Sequence, residues 1–301
     1  MFITYSSLSC FQQCRQKYKL RYLDGIVPIR KSNALEFGSA MHIALEKYWN
    51  YVKATQTFLA DDSDIGPCDL QFDANKILTD KVEAAKLAGL LKGYIDEYYN
   101  EDVRTWEVID VEREFKVRVC GNDIVGKADG LVRNRHTGRY YILEHKTASL
   151  VDASYVDQKA IDAQTMLYAA CLQNVMGITI SGAIHDILTK QKIRLKKGES
   201  EDDFCQRLMV DVSEENFNRI IVDFADNELA DFQRDLNQQL DELYGCKHFY
   251  KCTGSCIGRY GACEYLPLCK SKCAPEDADP NIYEKKKPFE EISDETKEVQ
   301  A

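Results

Sequence analysis

The chain has 301 residues, 45% of them hydrophobic and 29% charged, with a formal net charge of −10. That is enough apolar material for one large domain or two modest ones, and it excludes a chain disordered throughout. There is no run of 18 or more apolar residues, and "MFITYSSLSCFQQCRQKYKL" lacks the basic start and apolar stretch of a signal peptide. A cytoplasmic protein with no membrane partner is expected, in the host's cytoplasm if a phage encodes it. The acidic balance argues against a whole-surface nucleic-acid binder. It is uneven, however: residues 274–301 alone hold nine acids and four bases. The body keeps basic stretches at 15–22 and 189–198, which are either solvated faces or the walls of a groove.

In chain order, Leu8, Phe11, Cys14, Tyr18 and Tyr22 recur at helical spacing and predict a helix over 6–24, with Ser6 or Ser7 as cap. A second amphipathic helix is expected over 33–52, with His42 toward its core side, and a third over 75–100. The period then changes to two. Three runs, "WEVIDVEREFKVRV", "NDIVGKADGLVRN" and "GRYYILEHKTA", are separated by turn signals at 121–123 and 136–138 and predict an antiparallel meander. A helix over 157–177, a strand within 178–195 and a long helix over about 213–244 follow. This order implies one α/β core with helices on its sheet, a single domain over 1–273, and a disordered acidic tail over 274–301.

The third strand carries an anomaly. Glu144 and Lys146 emerge on the same face of an otherwise apolar strand, while Leu143 and His145 face the other side. Ions in such a place must be paired, metal-bound or at an edge. Asp129 lies one hairpin earlier, and cross-strand neighbours are close enough for two carboxylates to share Mg²⁺ or Mn²⁺.

Asp129 followed by Glu144-x-Lys146 resembles the signature of the PD-(D/E)XK nucleases, with Ala128 where a proline commonly precedes the aspartate. "FGSAMHIALE" is similar to the helix of RecB-type and AddB-type members whose histidine joins the metal site. Gln164 and Tyr168 match their Q-x3-Y pattern and lie on one helix face. The resemblance implies a restriction-endonuclease-like α/β core. It assigns His42, Asp129, Glu144 and the carbonyl of His145 to the metal, Lys146 to the water or phosphate, and Gln164 and Tyr168 to positioning. Glu112 occupies the family's preceding strand, with Glu114 as its rival.

Six of the twelve cysteines fall within 246–273, which in a reducing compartment points to metal or cluster ligation. The pattern looks like the iron–sulfur staple of AddB-type and CRISPR-associated exonucleases, in which one N-terminal cysteine joins three at the C-terminus. By that resemblance Cys14, Cys256, Cys263 and Cys269 would hold a 4Fe-4S cluster, with Cys10 or Cys252 as substitutes and zinc as the alternative metal. Cys68, Cys120, Cys171 and Cys205 read as small buried residues.

The implied activity is metal-dependent degradation of DNA, from ends and single-stranded, in recombination, replication or repair, with a helicase or recombination protein as partner and bacterial or phage exonucleases as kin. The basic residues Lys190, Lys192 and Arg194 would face the DNA backbone. A non-catalytic iron–sulfur subunit of a helicase–nuclease complex and a structure-specific endonuclease are the alternatives. The chain has no P-loop pattern of its own.

Overall fold

A computed structural model describes residues 2–30, 32–56, 68–119, 121–225, 227–258, 261–271 and 274–287. Where the sequence suggests a single domain, the chain forms two compact units, one of residues 32–115 and 127–229, the other of 1–31, 116–126 and 230–301.

The second unit opens and closes the chain. Strand β1 (Phe2–Ile3) runs parallel to residues 123–124. Helix α1 (Tyr5–Gln13) starts at a capping box, with the Thr4 side chain accepting from the Ser7 amide at 3.0 Å. The helix predicted over 6–24 is interrupted at Cys14, which is extended at φ −160°. Helix α2 (Arg15–Tyr18) and a π-helical turn (Lys19–Leu23) resume beyond it and lead to β2 (Ile26–Pro28).

The larger unit is built on two long helices, α3 (Asn33–Gln56) and α4 (Lys81–Thr105), the latter capped by Asp80. The sheet follows: β3 (Trp106–Val119), β4 (Asn122–Asn134) and β5 (Tyr140–Ala148). β3 pairs with β4, and β4 runs antiparallel to β5, as the turn signals predict. The helix expected over 157–177 is two, α5 (Ala153–Lys159) and α6 (Ala163–Met176), because Asp162 caps a new start. Strand β6 (Ile180–Thr189) then pairs parallel with β5, which makes the sheet mixed. Helix α7 (Glu201–Val210) packs on α4 at Gly89, where a Cβ would lie 2.8 Å from the Leu208 carbonyl oxygen.

The long helix predicted over 213–244 is a correction. Residues Phe217–Asp223 form strand β7, antiparallel to β6, and helix α8 spans only Glu228–Gly245. Phe217, Ile220, Ile221 and Phe224 fit a helical stripe by spacing, but Ile220, Ile221 and Val222 are three consecutive β-branched residues, which lose rotamer freedom in a helix and pack well on a sheet.

The core of the larger unit lies between α3, α4 and one face of the sheet. Phe37, Met41, Leu45 and Trp49 of α3 and Leu87, Leu90 and Tyr94 of α4 meet Tyr141 and Leu143 of β5 and Ile184 and Leu188 of β6. Each such side chain contributes about 1.5–3 kcal/mol by leaving water. On the same face Arg219 of β7 is buried between two carboxylates. Its Nε lies 2.7 Å from Asp186 Oδ1, a second nitrogen pairs with Asp102, and the Tyr48 hydroxyl donates to Asp102 at 2.7 Å. Burial pushes the Asp102 carboxyl up to about 6 against the pull of Arg219.

The chain returns to the smaller unit through α8, then β8 (Ile257–Gly258), β9 (Gly261–Ala262), α9 (Leu266–Ser271) and β10 (Tyr283–Lys285). β10 pairs antiparallel with β2, and Tyr283 is buried with Leu20, Ile26, Tyr265 and Leu268. The acidic tail expected from 274 onward therefore includes an ordered strand, anchored by an apolar ring that net charge does not reveal. Residues 288–301 lie outside the described residues.

Replacing Arg219 with methionine removes the cation that two buried carboxylates share. The expected cost is about 3–5 kcal/mol. Urea unfolding measures it, and a loss near the roughly 0.5 kcal/mol of a surface substitution would show that the network does not hold the unit.

Candidate active site

The site forms where β4 and β5 part. Their register runs from Arg133 opposite Tyr140 to Gly130 opposite Leu143. A Cβ on Gly130 would stand 2.8 Å from Leu143 Cδ1, so the residue beside Asp129 must be small for the strands to come this close. One residue further, the Asp129 carboxylate itself accepts the His145 amide, at 2.7 Å.

His42 reaches Asp129 from α3, its Nδ1 3.2 Å from Oδ1, and His145 Nδ1 lies 3.7 Å from Oδ2. Ligand atoms of these three residues all lie within 4.8 Å of one another. Burial would raise the Asp129 carboxyl, but His42, His145 and the His145 amide outweigh it and hold it at about 2. The same carboxylate raises the His42 imidazole against the effect of burial. His42, assigned to the core side by periodicity, has a side chain 34% exposed at the rim of the site.

The alternation of β5 divides its charges. His145 joins the α3 side, its ring 6.4 Å from that of Trp49, while Glu144 and Lys146 face α6. Asp129 and Glu144 therefore do not simply face each other across the hairpin. Lys146 Nζ donates to Gln164 Oε1 at 3.2 Å, and Gln164 Nε2 donates to the Tyr168 hydroxyl at 3.3 Å. The Tyr168 ring stands edge-on to Phe115 at 5.3 Å.

Glu144 is 1% exposed and forms an ion pair with Lys146, yet neither of its oxygens has a well-formed hydrogen bond among the described residues. Burial foremost, with the Asp129 charge, pushes its carboxyl up to about 7 against the pull of Lys146. Burying a carboxylate against the Lys146 ammonium is costly unless further groups answer its remaining lone pairs. Among the described residues, the ones whose ligand atoms come together are His42, Asp129 and His145, one carboxylate and two imidazoles that could hold a divalent metal ion; Glu144 is not in that group.

Glu112 is turned to Lys127, 2.8 Å away, with a backbone φ of 52°, and Glu114 is exposed. Lys190 also has partners within the protein: Glu83 at 2.6 Å and the Phe37 ring at 3.7 Å. Lys192 and Arg194 are exposed. Sequence reasoning missed His185, buried opposite Glu144 on β6, and the buried ion pair of Lys159 with Asp162. A histidine inside "SGAIHDILT" carries the same signal as Glu144, a polar group in an apolar strand.

In the other unit, Cys14, Cys252, Cys256, Cys263 and Cys269 line one cavity, with Gln13, Lys17, Lys251, Ser255 and Tyr265. The Cys252 amide donates to Cys14 Sγ at 3.4 Å. The helix break at Cys14 exposes this residue to the cavity, whereas Cys10, one turn back, is buried elsewhere in α1. Cys171 is buried as expected, but Cys68 and Cys205 are half-buried, and Cys120 and Cys273 lie outside the described residues.

The chain belongs to the PD-(D/E)XK nuclease superfamily, whose model matches residues 3–270. It is thus a nuclease, a DNA phosphodiester hydrolase of a class that works with divalent metal ions. Among solved structures, it is similar in outline to a protein of Eubacterium rectale provisionally named an exonuclease, at 13% identity and a TM-score of 0.47, over 91% of this chain and 88% of that one. It is also similar to the protein SSO0001, at 12% identity and a TM-score of 0.27, over 74% and 81% of the two chains. No curated protein sequence matches it. Among the described residues, no helix is long and apolar enough to cross a membrane.

The raised Glu144 carboxyl gives a stability signature in metal-free protein. A carboxyl whose folded value lies near 7, against 4.5 ordinarily, favours folding at low pH, and that contribution is lost as pH rises through 7. In EDTA, the change in Tm on Glu144→Gln should therefore be more favourable at pH 7.5 than at pH 5, whatever its offset from leaving the Lys146 ammonium without its counter-charge. Asp129, already ionised across that window, adds no slope. An equal shift at both pH values would mean that Glu144 ionises freely in the fold.

Proposed function

We propose that the protein is a Mg²⁺- or Mn²⁺-dependent exonuclease that degrades single-stranded DNA from its ends in recombination, replication or repair. The observation that carries the catalytic part is the cluster of His42, Asp129 and His145, together with the buried Glu144 carboxylate paired to a Lys146 that Gln164 holds. His42, Asp129 and Glu144 would hold the ion. His145 offers its imidazole Nδ1 in this geometry and its carbonyl by the resemblance. A bound ion supplies charge neutralisation at the scissile phosphate and a more acidic water.

Lys146 keeps its proton. Burial alone would favour loss of it, but Glu144 outweighs that and raises the ammonium above its ordinary value. A charged Lys146 places a donor where negative charge develops on the phosphate. Gln164 fixes its direction, and Tyr168 fixes Gln164. Lys192 and Arg194 are exposed to meet the DNA backbone, while Lys190 is engaged with Glu83. The preference for ends and single strands, and a helicase or recombination partner, rest on the likeness of the motifs to RecB-type and AddB-type nucleases.

Cys14, Cys256, Cys263 and Cys269 would hold a 4Fe-4S cluster in the cavity they line, with Cys252 as the fifth thiol at hand. Zinc on four thiolates is the alternative, and the choice of iron–sulfur rests on the likeness of the cysteine pattern to AddB-type and CRISPR-associated exonucleases.

End-labelled single-stranded DNA should lose its label with Mg²⁺ or Mn²⁺ but not with EDTA, and Lys146→Ala should slow the loss about 10²-fold or more. Closed circular DNA should survive. Equal activity of wild type and variant would remove Lys146 from the chemistry. Cys263→Ala, purified anaerobically, should lose iron and Tm together, and unchanged iron content with unchanged melting would discard the cluster assignment.

A further inference from the structure

Asp162 divides its two carboxylate oxygens between two tasks. Oδ1 accepts the amides of Gln164, at 3.0 Å, and Thr165, at 3.2 Å, as the cap of α6. Oδ2 takes the ammonium of Lys159 at 2.8 Å, and that lysine's side chain is only 8% exposed. The Thr165 hydroxyl, itself buried, donates back to the Asp162 carbonyl at 3.0 Å. A helix cap by itself needs no buried cation, since a serine or asparagine serves as well. Here a lysine is buried against the capping carboxylate, and the residue whose amide is capped is the one whose side chain holds Lys146.

We propose that Asp162, clamped by Lys159, is the positioning residue that sets Gln164 against Lys146 and so fixes the ammonium that serves the phosphate. The Lys159 contact holds one carboxylate oxygen while the other accepts from the first turn of α6, which fixes the plane and direction of the carboxylate. Gln164 then starts the helix in one orientation, with Oε1 toward Lys146 and Nε2 toward Tyr168. The pair sits close to Glu144 and His185, where a loose negative charge would disturb the site, and Lys159 neutralises it in place. Misplacing a reacting group by an ångström can cost on the order of 10²-fold in rate. A clamp two residues from Gln164 guards against that.

The proposal rests on the nuclease reading, and a double-mutant cycle tests it. Asp162→Ala should lower kcat on single-stranded DNA about tenfold with KM nearly unchanged. In a Gln164→Ala background the same substitution should cost almost nothing more. Lys159→Met, which keeps the cap but frees it, should give a smaller loss of the same kind and serves if Asp162→Ala does not fold. Asp162→Asn places an amide against the Lys159 ammonium and should also lose kcat, and adding Lys159→Met should restore part of it. A full tenfold loss in the Gln164→Ala background, or a lower Tm with unchanged kcat, would overturn the proposal. A readout without catalysis separates its failure from that of the nuclease reading: in ¹³C-lysine protein, the Cε resonance of Lys146 should move in Asp162→Ala as it does in Gln164→Ala. If wild type cuts no DNA but the resonance moves, the clamp stands and the nuclease reading falls. A resonance that moves in Gln164→Ala alone overturns the clamp.

Discussion

One hydrogen bond, from the His145 main-chain amide to the Asp129 side-chain carboxylate, sets the geometry at the point where β4 and β5 part. At that point β4 stops pairing with β5 and a side chain takes the place of a ladder carbonyl. The amide remains satisfied, as a buried donor must be. The exchange does two things. It keeps Asp129 ionised and still beside His42, and it marks the point at which the two strands part. A hydrogen bond to a charged group contributes about 1.5–3 kcal/mol, enough to fix a carboxylate but small beside the cost of burying one unpaired. Gly130, pressed against Leu143, brings the strands together just before they separate.

Besides Asp129 and its histidines, three sets of buried charges among the described residues of the larger unit differ in how completely they are answered. Arg219 stands between Asp102 and Asp186, with the Tyr48 and Tyr94 hydroxyls completing the set. Lys159 and Asp162 neutralise each other at the start of α6. Glu144 and Lys146 attract each other, but the carboxylate lacks further donors. The first two sets build the scaffold and the third is left incomplete. A fold can tolerate such a residue because stability is a sum, and the apolar packing of α3 and α4 on the sheet supplies the surplus.

Much of this was legible in the residues themselves. The meander, the pairing of Glu144 with Lys146 on one face and the Gln164–Tyr168 stripe all follow from local period, which is a property of neighbours in sequence. What escaped depends on distant partners. Helical spacing and strand alternation both fit Phe217 to Phe224, and only the edge of β6 decides between them. Asp102, Asp186 and Arg219 come from three separate elements, so no window of sequence contains their network. The parting of β4 from β5 escaped for a similar reason, because it depends on a register that ends rather than on one that continues. The ring of Leu20, Ile26, Tyr265 and Tyr283 that orders residues 283–285 was hidden by the acidic composition around it.

The way the smaller unit is assembled from residues 1–31, 116–126 and 230–301 has a consequence for synthesis. A ribosome adds about 5–20 residues per second, so the first segment waits on the order of 10–50 s for its last partners to emerge. During that interval Leu20 and Ile26 have not met Tyr265, Leu268 and Tyr283, and the Cys14 thiol has none of its neighbours from the C-terminal segment. Residues 32–115 and 127–229 hold their own core and can settle first. The helix of residues 5–13 is thus made well before the segment that completes its unit and is among the last elements to find its place.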